Sequence, residues 1–330
     1  VPVAGNTSFT GVITPEGYVT GPDGFVGIMA LADEDMVVGT ATVARGSGLA
    51  VEDGKKAAKK AMEAAGQTTP PDYFYMAASP AEEELYLKGI TEVIGRVPMF
   101  GGSAADNTIT GNWQLYSDKG VCADGVVLAF FYTKKKMHNE YTGAYRETKD
   151  MGIITKVNGL RTLVEIDGEP ALGKYAAWRH MDPKELAGGA LLGAAVLSPI
   201  GVKDRLGDLV AIRHPMNGNE DSSMAIGNNL AEGTAVIRME ATVDELINST
   251  GDTLHRLRGR APQVGAYHLV HCGGRRAGIG DRIGEVAEQL KKEANGVPFI
   301  AEFTFGEYGF VEDGRNTCGG LMLSFTALDK

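Results

Sequence analysis

Cys272 stands at the end of a predicted strand and is followed by two glycines and two arginines. Guanidinium groups near a thiol lower its pKa, so one interpretation is a thiol that reacts with oxidants or electrophiles. The alternative is a small apolar residue that closes the strand. A cysteine hydrolase is disfavoured, because no Cys–His–Asn set is recognisable by motif. The neighbouring His271 is also predicted to point to the opposite face of the strand.

Two arginines and one glutamate are candidate contacts for a charged ligand. Arg275 follows a glycine turn and Arg213 ends an apolar run, and a guanidinium fork binds carboxylates and phosphates. Glu307 follows Gly306 at a strand end, where its carboxylate could bind a ligand amine. Together Arg275 and Glu307 could hold a zwitterion such as an amino acid. Structural ion pairs, or a turn in the case of Glu307, are the alternative.

Two glycine-rich strand ends are candidates for anion binding. Gly101, Gly102 and Ser103 form one, and Gly5–Ser8 forms the other. Their backbone N–H groups and hydroxyls could contact an anion, although simple hairpin turns are the alternative. Asp106 is a further ligand candidate that could equally form an Asx turn. The run GRRAGIGDRIG lacks the G-x-G-x-x-G spacing of a dinucleotide-binding loop, so that interpretation is rejected.

The composition narrows the class of protein. The 330 residues carry a net charge of −10, which disfavours nucleic-acid binding. No apolar run reaches the roughly 18 residues of a membrane-spanning helix, and the six histidines show no metal-site spacing. The three cysteines are too scattered for a disulfide framework, so the cytoplasm or another reducing compartment is expected. Because the chain begins at Val1 rather than Met, a processed organellar protein is also considered.

A unit of about 100 residues recurs along the chain. Its copies begin at Pro2, Pro98, Pro199 and Pro298, which are 96, 101 and 99 residues apart. Each proline is followed by an apolar strand, a glycine turn and a closing strand that begins with glycine. The predicted closing strands are GFVGIMAL from Gly24, GVVLAFF from Gly125, GTAVIRM from Gly233 and GGLMLSF from Gly319.

The segments between these strands predict further elements in a fixed order. Helical patterns at 51–65 and 243–257 each lead to a strand, at 73–79 and 266–272, then to a second helix and the next proline. The chain is therefore predicted to have an α/β (α+β) fold of pseudo-repeated units, with mixed or antiparallel sheets flanked by helices. The first copy has no helix–strand–helix before it, and we expect about 30 to 40 such residues to be missing before Val1.

Several runs resemble the FIST family of sensory domains. The best match is YHLVHCGGRRAGIGDRIGEVAEQLKKEANGVPFIAEFTFGEYG, which contains the strand, Cys-x-Gly-Arg turn, long helix and Gly-Glu segment. The runs at Asp167–Trp178 and Asp208–Pro215 resemble the start and middle of the C-terminal part. Those at Gly5–Ile13 and Gly101–Asn107 resemble the strand ends of the N-terminal part. The first strand and helix of the family's N-terminal part are absent, and Val12 replaces a commonly acidic residue.

The resemblance implies two domains, residues 1–147 and 148–330, and a non-catalytic sensory module. We expect it to bind an amino-acid-like or small carboxylate ligand between the two halves, without a cofactor. Some FIST proteins bind haem and sense nitric oxide, in which case His214 would be the first axial ligand to test.

An alternative is a structural protein that forms homo-oligomers or a lattice through an open sheet edge. An enzyme is disfavoured because neither a nucleophile–base pair nor a metal site is recognisable.

Overall fold

The computed structural model describes residues 1–203, 210–310 and 316–330. The helices are α1 (Ala50–Ala64), α2 (Glu83–Ile94), α3 (Ala171–Arg179), α4 (Ala190–Ala194), α5 (Val243–Arg260), α6 (Gly273–Ile279) and α7 (Ile283–Ala294). Single 3₁₀ turns lie at Pro183–Leu186 and Gly280–Arg282. The first strands are β1 (Ala4–Asn6), β2 (Val12–Thr14), β3 (Gly17–Val19), β4 (Val37–Ala44), β5 (Tyr73–Ala78), β6 (Met99–Ser103), β7 (Leu115–Ser117), β8 (Gly120–Cys122), β9 (Gly125–Tyr132), β10 (Met137–Thr142), β11 (Arg146–Asn158) and β12 (Thr162–Ile166). The remaining strands are β13 (Glu169–Pro170), β14 (Ile200–Lys203), β15 (Val210–Arg213), β16 (Pro215–Gly218), β17 (Met224–Ile226), β18 (Ala235–Glu240), β19 (Val264–Cys272), β20 (Phe299–Thr304), β21 (Glu307–Phe310), β22 (Asn316–Gly319) and β23 (Leu323–Asp329).

Two six-stranded sheets have equivalent strand orders. The N sheet runs β22-β21-β6-β5-β9-β4, and the C sheet runs β3-β2-β20-β19-β23-β10. In each sheet the two central strands, β5 and β6 or β19 and β20, are parallel, and the other pairs are antiparallel. The mixed α/β architecture expected from the internal repeat is therefore confirmed.

The two halves of the chain exchange hairpins. The β2–β3 hairpin, near the start of the chain, extends the C sheet by pairing with β20, so that Val12 lies opposite Glu302. The β21–β22 hairpin, near the end, extends the N sheet by pairing with β6, so that Glu307 lies opposite Gly102. Each sheet is thus completed by residues from the other end of the chain.

The two sheets pack face to face with helices outside them. Along β5, Phe74 and Met76 contact the apolar faces of α1 and α2, whereas Tyr73 and Tyr75 lie on the opposite, inter-sheet face. Along β19, the alternate residues Tyr267 and Leu269 similarly pack against α5 and α7. This two-residue alternation is what a strand buried on both faces requires.

Glycines set the distance between the outer helices. An added Cβ at Gly54 of α1 would lie 2.2 Å from the carbonyl oxygen of Tyr86, and one at Gly89 of α2 would lie 1.9 Å from that of Val51. The two helices therefore cross closely.

Helix α5 begins with a capping box in which Thr242 and Glu245 bond reciprocally to the backbone, which satisfies two otherwise free N–H groups.

A third, barrel-like sheet lies between the two halves in sequence. Its order is β15-β14-β18-β11-β12-β17-β16, with β13 paired to β12, and α3 and α4 contribute to its separate core. Tyr175 of α3 is fully buried there and its hydroxyl donates to the carbonyl oxygen of Ser198. The predicted domain boundary at 147/148 falls near the start of β11 and stays a prediction.

One predicted closing strand is wrong. The strands from Gly125, Gly233 and Gly319 correspond to β9, β18 and β23, but residues 24–31 lie in no strand. Val26 and Ile28 are 80% and 83% exposed, while Gly27 lies against Ile300 of the C sheet. The local β pattern is present, but no neighbouring strand pairs with it among the described residues, and strand propensity alone does not make a strand.

No helix in the described parts of the chain combines the length and the hydropathy needed to cross a bilayer.

Gly101 provides a stability test of the strand crossing. Its φ of +134° is strained for other residues, and an added Cβ would lie 1.9 Å from the carbonyl oxygen of Met76. We expect Gly101→Ala to lower the free energy of unfolding by about 3–5 kcal/mol, measured by chemical denaturation. Gly284→Ala in α7, where an added Cβ meets nothing within 4 Å, is the control and should stabilise by about 0.5–1 kcal/mol. Equal effects of both substitutions would contradict the steric argument.

Candidate functional site

The carboxyl ends of the central parallel strands of both sheets meet at one junction. There the backbone N–H of Ser103 donates to the carbonyl oxygen of Gly306 at 2.7 Å, and that of Phe305 donates to Ser103 at 3.1 Å. An added Cβ at Gly102 would lie 2.6 Å from Cγ2 of Thr304, so this crossing needs glycine. The crossing brings Glu307, Cys272 and Arg275 to the same region.

Gly101, Gly102 and Ser103 serve this crossing in the structure. Gly101 and Gly102 pair with Tyr308 and Glu307 of β21, and the hydroxyl of Ser103 bonds to that of Tyr308 at 2.7 Å. The contacts of these residues are therefore with the exchanged hairpin. Their role in binding an anion stays a prediction.

Glu307 is a fully buried carboxyl group at the start of the exchanged hairpin. Its Oε1 accepts a hydrogen bond from the Thr304 hydroxyl at 3.0 Å, and its Oε2 accepts one from the Met322 backbone N–H at 2.9 Å. Burial raises the pKa of Glu307 to about 8, because the ionised form loses its hydration. The carboxyl is therefore mainly neutral at pH 7.

Cys272 caps the first turn of α6 and is buried. Its Sγ accepts hydrogen bonds from the backbone N–H groups of Gly274 at 3.2 Å and Leu321 at 3.3 Å. Burial, aided by the nearby Glu307, raises the pKa of the thiol well above its ordinary value. Desolvation therefore opposes the activation of this thiol by the arginines that follow Cys272 in the sequence, and its reactivity stays a prediction.

Among the described residues, Arg275 is the largest of the fully buried side chains. Its Nη2 donates to the backbone carbonyl of Leu246 at 2.8 Å and to the Ser249 hydroxyl at 2.6 Å. Its Nε and Nη1 have no hydrogen-bond partner among the described residues. Burial lowers its pKa, and Tyr145, Cys272 and Glu307 are the groups whose charges oppose that effect. A guanidinium stays charged in proteins, and no carboxylate of the described residues forms an ion pair with it.

Ser249 connects Arg275 with the protein surface. The same residue lines an open groove along α5, together with Gly143, Ala144, Glu245, Asn248, Asp252 and Arg256. Ser249, whose hydroxyl accepts from Arg275, is therefore one of the residues that line a polar surface groove.

Arg213 and His214 lie on the barrel-like side of the junction. Arg213 Nε donates to the carbonyl oxygen of Asn229 at 3.2 Å. His214 is buried, and its Nε2 donates to the carbonyl oxygen of Leu192 at 2.9 Å, which assigns the proton to Nε2. Burial lowers the pKa of His214 to about 4. Axial ligation through Nε2 would require the bond to Leu192 to break, and the haem hypothesis stays a prediction. Asp208 and Leu209 of the same motif lie outside the described residues.

Asp106 forms a tight turn. Its carboxylate accepts hydrogen bonds from the backbone N–H groups of Thr108 and Gly111 and from the Thr108 hydroxyl, at 2.7–3.0 Å. Burial acts against ionisation here, but these hydrogen bonds prevail and hold the pKa of Asp106 below its usual value. The Asx-turn alternative describes its observed contacts, and a ligand role stays a prediction.

Sequence reasoning missed several polar groups at the junction. Tyr141 is buried with no partner for its hydroxyl among the described residues, and that oxygen lies 2.2 Å from where a Cβ on Gly319 would be. Arg161 pairs with the buried Glu83 at 3.0 Å and also contacts Glu84, joining the barrel-like sheet to α2. These residues occur in no local motif, because distant strand pairing brings them together. Only their polarity within otherwise apolar segments could have marked them.

Thiol labelling tests the burial of Cys272. Under native conditions we expect alkylation of the half-buried Cys122 first, because Cys272 and Cys318 are buried. Their modification should be at least about tenfold slower and should become complete in denaturant, as measured by peptide mass spectrometry. Faster native labelling of Cys272 than of Cys122 would restore the activated-thiol interpretation.

Comparison with known families covers both halves of the chain. Residues 1–169 match the model of the FIST N domain, and residues 171–309 match that of the FIST C domain. A search of the curated proteins found no match. FIST domains are sensory, ligand-binding domains of signal transduction rather than a catalytic family. The order of the two matches agrees with the resemblance expected from the motifs, and the chain belongs to the FIST family.

Proposed function

We propose that this chain is a sensory module that binds a small carboxylate, such as an amino acid, at the junction with Arg275 as its anchor. The observation that carries this proposal is the fully buried guanidinium whose Nε and Nη1 lack partners among the described residues. A buried cation without a counter-ion is costly, and a ligand carboxylate would provide both the missing charge and the missing acceptors.

The surrounding groups favour an anion over a cation. Glu307 is close enough to affect the pKa of Arg275, yet no ion pair joins them in the described parts of the chain. At neutral pH the Glu307 carboxyl is mainly protonated, so it does not neutralise the guanidinium. A ligand ammonium group near Glu307 would favour the ionised carboxylate, and the two residues together suit a zwitterion.

The groove along α5 supports an entry route. Ser249 lines that groove and its hydroxyl also accepts from Arg275 Nη2, so this residue connects the groove with the guanidinium. Asn248 and Arg256 add polar groups along the same surface. We infer that ligands reach Arg275 from this side, where the polar groups of the groove can form hydrogen bonds with a ligand that loses its water.

Thermal-shift measurements with the amino acids and a series of small carboxylates test the proposal. At 100 times its Kd, a ligand should stabilise the protein by about 2.7 kcal/mol. Arg275→Gln should lower the affinity by about 30-fold or more, because the ligand carboxylate loses its buried counter-ion. Arg276→Gln is the matched control and should change affinity by less than about threefold, since Arg276 instead donates to Gly280 and stacks on Tyr18. A flat screen, or equal losses in both variants, would contradict the proposal.

Self-association is a second candidate function, favoured by the exposed Val26 and Ile28. Both lie in the unpaired segment 24–31, which carries no charged side chain. A second copy of the chain could cover these side chains and pair with this segment, forming a dimer.

Light scattering across a concentration series tests the second candidate. We expect the mass of the wild-type protein to rise with concentration and the variant with Val26→Lys and Ile28→Lys to stay monomeric. Leu49→Lys changes an equally apolar side chain that is 70% exposed at the start of α1, and it should behave like the wild type. A wild-type protein that stays monomeric at high concentration would exclude this candidate.

A further inference from the structure

A buried histidine–carboxylate pair lies between the two sheets, away from Arg275. His268 of β19 and Glu302 of β20 point to the inter-sheet space, and His268 Nε2 is 3.3 Å from Glu302 Oε1. Their side chains are only 13% and 10% exposed. His268 Nδ1 and Glu302 Oε1 have no hydrogen-bond partner among the described residues.

The pair is held by groups from the opposite half of the molecule. Glu302 Oε2 accepts from Asn6 Nδ2 at 2.9 Å, and Asn6 Oδ1 accepts from the Tyr75 hydroxyl at 2.5 Å. The His268 ring packs edge-on against Tyr75 and Phe100 of the N sheet, with ring centroids 5.6 and 5.2 Å away. A chain of hydrogen bonds and ring contacts therefore runs from the C sheet through β1 to the N sheet.

The nearby titratable groups leave the charge of this pair uncompensated. Tyr75 from β5 and Tyr116 from β7 face Glu302, and burial raises the pKa of both, so they stay neutral. The neighbouring Thr326 on β23 and Asn6 on β1 are uncharged. No lysine or arginine of the described residues forms an ion pair with Glu302.

We propose that His268 and Glu302 form a pH-sensing element in which the Glu302 carboxyl, beside a neutral His268, keeps one proton between the two sheets. Loss of that proton as the pH rises above neutral leaves a carboxylate that no described lysine or arginine neutralises, and this loosens the packing of the halves. Thr304 follows Glu302 on the same face of β20 and donates to Glu307, so the loosening reaches the candidate ligand site.

The direction of the pH effect follows from burial. Burial raises the pKa of Glu302 from 4.5 to about 7, so its contribution to stability is complete below 4.5 and is lost as the pH rises through 7. Burial lowers the pKa of His268 from 6.5 to about 4, so its contribution is present above 6.5 and is lost as the pH falls through 4. Between pH 4 and pH 7 the Glu302 carboxyl is mainly protonated and His268 is mainly neutral.

The pH dependence of the melting temperature of Glu302→Gln tests the proposal, because glutamine mimics the protonated carboxyl. Relative to the wild type, we expect the Tm of this variant to be about 1 °C higher at pH 5 and about 5 °C higher at pH 8. Glu307→Gln is the control: it removes a separate carboxyl whose pKa is raised from 4.5 to about 8, so its Tm difference should grow over the same range but continue to increase up to about pH 8. A Glu302→Gln curve parallel to that of the wild type from pH 5 to 8 would overturn the proposal.

A second measurement needs no variant at position 302. NMR signals of the His268 ring, assigned by their absence from His268→Gln, should shift with one midpoint near pH 7 as the neighbouring carboxyl ionises. Ring signals that stay constant between pH 5 and 8 would contradict the ionisation of Glu302 beside His268.

Discussion

The exchange of hairpins between the two halves is the constraint on which the junction depends. Glu307 is the first residue of the hairpin given to the N sheet, while Thr304, three residues earlier, ends the central strand of the C sheet. The chain must therefore cross from one sheet to the other between them, and Gly102 and Gly306 allow the strands to approach at that point. The polar side chains at the crossing are buried because two sheets close over them at once.

Burial acts differently on the charged groups at this crossing. The carboxyl group of Glu307 can take up a proton, and its raised pKa expresses that response. A guanidinium does not lose its charge near neutral pH, so the buried Arg275 needs hydrogen-bond acceptors and an anion. The two hydrogen bonds of Nη2 satisfy this need only in part. The electrostatic balance of the junction is consequently centred on Arg275.

Elements that depend on local pattern could be predicted from the sequence. The helical periodicities at 51–65 and 243–257 correspond to α1 and α5, and the strand predicted at 266–272 corresponds to most of β19. Residues 24–31 could not be assigned correctly in this way, because a strand also needs a partner. Hairpin exchange likewise depends on pairing between residues about 290 positions apart, such as Val12 with Glu302.

The same distinction between local pattern and distant pairing applies to the residues of the candidate site. Arg275 and Glu307 could be identified because each is a charged residue beside a glycine turn at a strand end. The direction of the pKa shift of Cys272 could not be predicted in this way. The adjacent arginines suggest a lowered pKa, but the degree of burial decides the direction of the shift, and burial depends on the complete fold. Tyr141 and Ser249 come from a strand and a helix whose own patterns suggest only structural roles. Spatial convergence is what gives them a place near the junction.

The hairpin exchange also has a consequence for biosynthesis. During translation β6 is made long before β21, so the N sheet keeps an open edge until β21 has left the ribosome. The early hairpin β2–β3 likewise waits for β20. Contacts of such long sequence separation slow folding and expose unpaired edges to other chains. Neither sheet can therefore be completed before β20 and β21 have been synthesised.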